Sequence, residues 1–308
     1  MLRRLQLALL AAATWPSVAG AQELRVLSHD GAGWQTFWSF TTAPRRWSAP
    51  DSVVINAIHW EADSIPGIAW GALTVAGDGE AWRIRVIVAR LDPAEVRLRT
   101  VVPPSANRNG PDWTIRRAPS SARVALNAGQ FDHRGPWGWL VRDGVERQPP
   151  GRGPLAMALA LDTLGQPHFV AGEEMAALRA SGTVREAFQS WPALLREDGS
   201  VPDALRDATK GVRLSHRDAR LGIGLQRNGQ LLIALTRFEG LGGVLEQVPF
   251  GLTTPEMAAL MGALGCREAM LLDGGISSQL LVRPVRGKPR VWPGLRRVPL
   301  GLIVEPRR

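Results

Sequence analysis

Cysteine is almost absent from this 308-residue chain, whose one example is Cys266. A single cysteine excludes a disulfide within the chain and any metal site built from several thiolates. The five histidines are scattered, and no two have the i,i+4 spacing of paired zinc ligands on a helix. We therefore expect no metal and no other cofactor, and a fold that is stabilised by its hydrophobic core alone.

Lysine is equally scarce, because all but Lys210 and Lys288 of the 37 basic residues are arginines. The formal net charge is +9, yet the arginines are scattered among apolar residues and form no basic run or stripe. A nucleic-acid-binding protein more often concentrates its basic residues in such a run. Nucleic acid is therefore not expected as a partner.

Long apolar runs are also missing, and the clearest apolar stretch lies near the N-terminus. There Arg3 and Arg4 precede the apolar residues 5–18, and small residues follow up to Ala21. This is the pattern of a secretory signal peptide, and it is too short for a good membrane-spanning helix. We expect a signal peptide over 1–21, a periplasmic or secreted protein of a bacterial cell envelope, and no integral membrane segment after cleavage. An uncleaved anchor is the alternative.

Alternation of apolar and polar residues predicts several strands. Residues 82–88 and 96–100 alternate apolar side chains with arginines, which indicates two strands with a solvated, arginine-rich face. The pair Asn228-Gly229 between two apolar runs predicts a β-hairpin. The clearest helix follows Thr253 or Thr254 as its cap, and Gly265 ends it.

These elements predict an α+β fold, with a mixed, largely antiparallel sheet and packed helices. Strands outnumber helices, and at least one hairpin is antiparallel. We expect an N-terminal β-rich extension over residues 22–80 and a main domain over residues 81–308.

Two apolar strand-like segments end in residues that suit a binding site. Residues 124–126 lead into Asn127-Ala128-Gly129, and residues 269–272 lead into Asp273-Gly274-Gly275. Glycine allows backbone N–H groups to approach a ligand closely, while the carboxylate and the amide supply polar contacts. Each segment, taken alone, is more often a plain turn than a binding site.

The order of these motifs resembles the phosphodiester glycosidase family. Residues 125–131 are similar to the family's NxGxF strand end, residues 190–195 to its PxLL segment, and residues 220–224 to its RTAIG motif. Residues 272–280 resemble its LDGGGSSQL motif, with Ile276 in place of a glycine. The resemblance covers about residues 82–305, so the main domain is expected to be a phosphodiester glycosidase domain.

The resemblance implies hydrolysis of the glycosidic C1–O bond of a sugar-1-phosphodiester, in the cell envelope or in exopolysaccharide metabolism. The substrate would be a phosphorylated glycan or a sugar-1-phosphodiester. The reaction needs a site for the phosphate charge, stabilisation of an oxocarbenium-like state, and an activated water or nucleophile.

Roles for individual residues follow from the same resemblance. Asp273 would be the base or the nucleophile, and Asn127 would hold a sugar hydroxyl or a phosphate oxygen. Arg220 would bind the phosphate, because a guanidinium offers a permanent charge in a bidentate fork. We expect these three side chains to converge within about 10 Å. The expected substrate-binding residues are Gly129, Gly274, Gly275, Ser277 and Ser278. Asp132 and Asp218 lie near motifs but are expected at the surface.

Two other functions remain open. The first is a non-catalytic envelope protein that binds anionic polysaccharide through Arg220 and the arginine-rich strands. The second is a serine hydrolase that uses Ser277 or Ser278, although residues 275–279 lack the final glycine of a nucleophile elbow.

Overall fold

The computed structural model of the protein describes residues 22–29, 32–62, 65–77, 82–102, 113–239 and 246–307. The expected signal peptide, residues 1–21, lies outside the described residues and stays a prediction. Within the described part of the chain, strands far outnumber helices.

The largest layer is a nine-stranded antiparallel sheet. In spatial order its strands are β15 (Ala193–Leu195), β18 (Cys266–Leu271), β16 (Leu221–Gln226), β17 (Leu231–Phe238), β5 (Arg83–Leu91), β4 (Ile68–Gly77), β1 (Glu23–Leu27) and β2 (Trp34–Ser39), with β3 (His59–Trp60) paired to β4. The predicted hairpin joins β16 and β17, whose pairing begins at Leu221 opposite Leu235. Strand β4 pairs with β5 along most of its length. The expected boundary near residue 80 therefore falls between two neighbouring strands of one sheet.

Two five-stranded sheets and a two-stranded ribbon complete the β-structure. The first sheet has the order β11 (Val145–Gln148), β10 (Leu140–Arg142), β14 (Val184–Ser190), β12 (Met157–Asp162) and β13 (Pro167–Val170). The second has the order β20 (Arg290–Trp292), β19 (Leu280–Val282), β7 (Val124–Asn127), β21 (Gly301–Pro306) and β6 (Val96–Val101). The ribbon pairs β8 (Phe131–Asp132) with β9 (Gly135–Pro136). The two arginine-rich strands, β5 and β6, thus belong to different sheets.

The described residues contain three α-helices: α1 (Ser52–Asn56), α2 (Gly172–Ala180) and α3 (Thr254–Ala263). Helix α3 begins as predicted, with Thr253 and Glu256 forming a capping box. All ten of its residues are buried, so the helix has no solvated face. The Trp47 ring, from the segment before β3, packs against this helix at Gly262. A Cβ atom on Gly262 would lie 2.3 Å from that ring, so glycine is required at this contact.

A buried polar cluster lies at the start of α3. The Glu256 carboxylate is fully buried and accepts two hydrogen bonds from the Arg217 guanidinium, at 2.7 and 2.9 Å. The Gln22 amide donates to the same carboxylate at 2.7 Å. A buried charge needs such partners, because its desolvation is otherwise costly. The cluster therefore fixes the N-terminal end of α3 beside the first described residue.

The predicted α+β fold, with a mixed sheet and packed helices, is wrong. Strand makes up 43% of the residues and helix 13%, and an antiparallel sheet curls into a half-barrel. Every strand pair in the described part of the chain is antiparallel. The error has a physical origin: α3 has a strong local signal in its capping box, whereas strands of two to four residues are stabilised by distant partners and leave no local periodicity.

The main hydrophobic core joins the sheets to one another. Leu126 and Leu302, from β7 and β21, share one buried cluster with Ile223 and Leu235, from β16 and β17. The free thiol of Cys266 is buried near α3 in a second cluster, and burial raises the pKa of this thiol. Packing of the sheets brings the ends of β7 and β18 together, and these are the strands that precede Asn127-Ala128-Gly129 and Asp273-Gly274-Gly275.

Candidate active site

The motif over residues 273–279 forms a tight loop directly after β18. Residues 275–277 make one 3₁₀ turn, and Gly275 has a φ of +57°, a left-handed conformation that favours glycine. Its N–H donates to the Ala219 carbonyl at 2.8 Å. A Cβ atom at this position would lie 2.9 Å from Oδ2 of Asp218. Glycine therefore leaves room for a second carboxylate against the loop.

Asn127 connects the two ends of this loop. Its Nδ2 donates to the Asp273 carbonyl at 2.8 Å, and its Oδ1 accepts from the Gln279 N–H at 2.9 Å. The side chain is fully buried. Next to it, Gly129 has a φ of +62° and its carbonyl accepts from the Asp273 N–H at 3.2 Å. The NxGxF strand end thus holds the backbone of Asp273 from two positions.

The Asp273 carboxylate is partly buried at the centre of the site. Its Oδ2 accepts no hydrogen bond from the described residues. Burial raises the pKa of this carboxyl above its ordinary value, and the nearby charge of Asp218 acts in the same direction. A hydrogen bond from Ser277 and the positive charge of Arg296 oppose the shift. Asp273 thus combines an acceptor oxygen that has no hydrogen-bond partner among the described residues with a raised affinity for a proton.

Asp218 is the second carboxylate of the site, although we expected it at the surface. Its Oδ1 accepts from the Ala219 N–H at 2.9 Å, and its Oδ2 lies 3.8 Å from Nε2 of His216. Burial raises the pKa of this carboxyl, while the charge of Arg220 lowers it. The charge of Asp218 also raises the pKa of Asp273, so the second carboxylate is close enough to act on the first.

The Arg220 guanidinium is fixed by the backbone rather than by a carboxylate. Its Nε donates to the Leu252 carbonyl at 2.8 Å, and one terminal nitrogen donates to the His216 carbonyl at 2.7 Å. Burial lowers the pKa of this group, whereas the charges of Asp218 and Glu256 raise it. Arg220 is therefore a rigid positive charge beside Asp218, and two of its N–H groups are already used.

Arg296 supplies a second positive charge, which the sequence analysis missed. Its guanidinium lies over the Phe131 ring, 4.6 Å from the ring centre, in a cation–π contact. Its charge lowers the pKa of Asp273. The Arg296 backbone N–H donates to the Ile276 carbonyl at 3.2 Å, which attaches its segment to the 273–279 loop. Phe131 is the aromatic residue of the NxGxF motif, so this motif orients a cation as well as a carboxylate.

A buried arginine ties the same two segments together. Arg237 is 4% exposed, and one terminal nitrogen donates to the Ser278 carbonyl at 2.7 Å and to the Pro293 carbonyl at 3.3 Å. Burial lowers the pKa of this guanidinium to about 10. The contacts fix the loop that carries Asp273 relative to the segment that carries Arg296.

The serine side chains of the loop are closed to solvent. Ser277 and Ser278 are each 1% exposed, and the Ser277 hydroxyl is engaged with Asp273. The Ser278 hydroxyl has no hydrogen-bond partner among the described residues. A Cβ atom on Gly274 would lie 2.8 Å from the Ala219 carbonyl, so this glycine permits close backbone packing. A nucleophilic serine needs an accessible hydroxyl, which neither serine offers here.

The predicted residues fall into two adjoining groups. Asn127, Gly129 and Ser277 contact Asp273 directly, whereas Arg220 and Gly275 lie beside Asp218. Asp218 had one sequence signal, its position two residues before Arg220 in a family-like motif. Arg296 had none, because its contact with Phe131 spans more than half of the chain.

No group of three or more His, Cys, Asp or Glu side chains in the described part of the chain is arranged to hold a metal ion. None of its helices combines the length and the apolar character that are needed to cross a membrane.

Known proteins provide an independent comparison. A profile of the phosphodiester glycosidase family matches residues 120–305. The fold is similar to the catalytic domain of zebrafish N-acetylglucosamine-1-phosphodiester alpha-N-acetylglucosaminidase, auto-inhibited by its pro-peptide, with a TM-score of 0.61 and 16% identity over 84% of this chain and 87% of that chain. A search of curated proteins gives no match.

Two further solved structures share the fold. A hypothetical protein from Synechocystis has a TM-score of 0.54 and 16% identity, over 93% of this chain and 68% of that chain. A Burkholderia pseudomallei K96243 protein described as exported has a TM-score of 0.50 and 17% identity, over 75% and 77%. These identities show the fold alone, but the family profile spans more than half of the sequence. The chain belongs to the phosphodiester glycosidase family.

Proposed function

We propose that the protein hydrolyses the glycosidic C1–O bond of a sugar-1-phosphodiester and releases a free sugar and a phosphate monoester. The observation that carries this proposal is the pair of carboxylates, Asp273 and Asp218, flanked by the cations Arg296 and Arg220. Glycoside hydrolysis needs carboxylates at C1, and a phosphodiester brings a negative charge that needs a cation. Membership of the family supports the same reaction.

In the proposed reaction, water is the second substrate. The C1–O bond breaks, and the phosphate oxygen keeps the bonding electrons. Water supplies the new oxygen on C1, and Asp273 accepts the proton that this water loses. A phosphate monoester is a good leaving group, so a strong acid is less necessary than for an alcohol. Asp218, whose pKa burial raises, carries a proton toward the departing phosphate oxygen.

In this proposal, Arg220 and Arg296 both bind the phosphate of the substrate. Arg220 provides a fixed charge, because two backbone carbonyls hold its guanidinium. Arg296 is exposed, and its guanidinium is oriented by the Phe131 ring. Asn127 acts as a positioning residue through the backbone of Asp273 rather than as a ligand of the sugar. Gly129, Gly274 and Gly275 permit the close backbone packing that forms the site.

The reaction is tested with a panel of sugar-1-phosphodiesters that includes N-acetylglucosamine-1-phospho compounds, with release of free sugar as the readout. We expect turnover by the wild-type protein and its loss in Asp273→Asn. Asp132→Asn is the matched control, because Asp132 is exposed and its bond to the Arg134 N–H is retained by an amide oxygen. Binding of anionic polysaccharide without turnover, unchanged in Asp273→Asn, would instead support a non-catalytic binding protein.

We further propose that the protein acts outside the cytoplasm, on phosphorylated glycans of a bacterial cell envelope or exopolysaccharide. The charged, apolar and small-residue order of residues 1–21 supports export. N-terminal sequencing of protein from fractionated cells tests this location. The expected mature chain begins near Gln22, whereas exported material that begins at Met1 would contradict the predicted cleavage.

A further inference from the structure

The segment that precedes β15 contains an exposed aromatic side chain that the proposed reaction has not used. Within residues 186–195, every side chain is buried except that of Trp191, which is 39% exposed. An indole is a large apolar group, and leaving it in water forgoes the free energy that its burial would provide. Trp191 is thus an exposed apolar group in the otherwise buried segment 186–195.

Hydrogen bonds attach this residue to the Asp273 loop. The Gln130 side-chain amide donates to the Trp191 carbonyl at 3.0 Å. Gln130 follows Gly129, whose carbonyl accepts from the Asp273 N–H. The contacts therefore run from Trp191 through two neighbouring residues to the backbone of Asp273.

The flanking residues fix the Trp191 backbone against the end of β18. The Ser190 hydroxyl donates to the Leu271 carbonyl at 2.5 Å, and the Leu271 N–H donates to the Pro192 carbonyl at 3.0 Å. Leu271 lies two residues before Asp273 in the sequence. Trp191 is thus held from both sides beside the strand that delivers the carboxylate, and its ring is the part of the segment that remains accessible.

Two consecutive residues contact the segment of Trp191 and the Arg296 guanidinium. Gln130 contacts Trp191, and the next residue, Phe131, lies under Arg296. Residues 130–131 therefore connect an exposed aromatic residue with a cation, one apolar and one charged. A sugar-1-phosphodiester has the same division, with an apolar C–H face on its sugar ring and a charge on its phosphate.

We propose that the Trp191 ring is the surface against which the sugar ring of the substrate packs, while the phosphate faces Arg296. The inference rests on the proposed function and adds to it a residue that recognises the sugar. Trp191 contributes contact area and a flat ring face rather than a charge or a proton, so its effect falls on binding of the sugar.

The experiment compares Trp191→Phe, Trp191→Leu and Trp191→Ala with the wild-type protein on one sugar-1-phosphodiester, the methyl diester of N-acetylglucosamine-1-phosphate. Removal of an aromatic contact of this kind lowers the affinity for the ligand by about 3- to 10-fold. We expect KM to rise by this factor in the alanine and leucine variants, with little change in kcat and with near-normal KM in the phenylalanine variant. Leu164→Ala is the control, because Leu164 is 72% exposed in the turn between β12 and β13.

Binding measured by saturation-transfer NMR with N-acetylglucosamine-1-phosphate separates this inference from the proposed reaction. Signals from the sugar C–H protons are expected with wild type and with Asp273→Asn, and are expected to weaken in Trp191→Leu. Equal signals or equal KM values in wild type and Trp191→Leu would overturn the role of Trp191, even if the protein turns the diester over. Absence of turnover by wild type, with Trp191-dependent binding retained, would overturn the proposed reaction and leave the sugar contact supported.

Discussion

The Asn127 side chain holds Asp273 by its main chain: Nδ2 donates to the Asp273 carbonyl at 2.8 Å while Oδ1 accepts from the Gln279 N–H at 2.9 Å. One buried amide thus fixes both ends of the loop that contains the Asp273 carboxylate. Asn127 therefore holds the loop in place, a role that its position in a strand-end motif did not reveal.

Replacing Asn127 by alanine is expected to destabilise the protein by about 1–3 kcal/mol, because one buried and one partly buried backbone group lose their partner. The free energy of unfolding, measured with denaturant, tests the loss. Asn56→Ala at the exposed end of α1 is the control, expected to stay within about 0.5 kcal/mol of wild type. We also expect kcat to fall in Asn127→Ala, since Asp273 is no longer held. Unchanged stability together with reduced activity would indicate a direct contact with substrate instead.

Asp273→Asn is expected to abolish most of the turnover while stabilising the fold at neutral pH. Because burial raises the pKa of Asp273, the folded state favours the protonated acid. The contribution of this group to stability is complete below its unfolded pKa, about 3.9, and is lost as the pH rises through the folded pKa. An asparagine is neutral throughout, so its advantage over wild type is present at pH 7 and disappears toward pH 4.

Thermal melting at both pH values tests the stability change, and steady-state kinetics tests kcat, where loss of a catalytic base costs about 10²- to 10⁴-fold. Asp132→Asn, at an exposed site, is the control. A variant less stable than wild type at pH 7 would contradict the proposed environment of Asp273.

Arg296→Ala is expected to reduce kcat/KM for phosphodiesters by about 10- to 100-fold, the range for a lost hydrogen bond to a charged group. It is also expected to move the acid limb of the pH–rate profile to higher pH, because the Arg296 charge lowers the pKa of Asp273. Arg290→Ala, an exposed arginine on β20, provides the comparison. A lower kcat/KM with an unshifted acid limb would argue against charge coupling to Asp273.

Arg220→Lys retains a positive charge but loses the planar fork that binds the Leu252 and His216 carbonyls. We expect weaker binding of phosphodiesters and a smaller effect on an aryl glycoside of the same sugar, which carries no phosphate. The measurement is kcat/KM for both substrates in wild type, Arg220→Lys and Arg220→Ala. Equal losses on the two substrates would show that Arg220 is structural rather than a phosphate ligand.

The Arg217–Glu256 pair at the start of α3 gives a prediction about stability alone. Breaking a buried pair costs about 3–5 kcal/mol, because the remaining partner keeps an uncompensated charge or polar group. We expect Glu256→Gln to lose stability in this range. The control is Glu146→Gln, which weakens the largely solvated pair with Arg179 and should have a much smaller effect, since exposed pairs contribute little. Similar losses in the two variants would contradict the role of burial.

Local signals account for the parts of the fold that the sequence predicts. The Thr253 cap and the Asn228-Gly229 turn each act within a few residues, and both elements form as expected. The fold class is wrong for the opposite reason. Strand β6 resembles its neighbour β5 in sequence yet pairs with β21, about 200 residues away, and no local pattern contains that information.

The same distinction separates the site residues that were predicted from those that were missed. Asp273 and Asn127 lie in motifs that end apolar strands, so their type and order are readable from the sequence. Arg296 enters the site through a ring contact with Phe131 that exists only after folding. The burial that raises the pKa of Asp218 is likewise a property of the packed loop, not of the residues beside it in the chain.

The pairing of β7 with β21 has a consequence for the order of folding. Asn127 lies opposite Gly301, and β7 is flanked by β21 on one side and by β19 on the other. Contacts of such long sequence separation must overcome a large loop-closure entropy and therefore form slowly. On the ribosome, the strand that positions Asp273 has neither of its neighbours until most of the chain has been synthesised. The surroundings of Asp273 are thus completed late, when this sheet closes around β7.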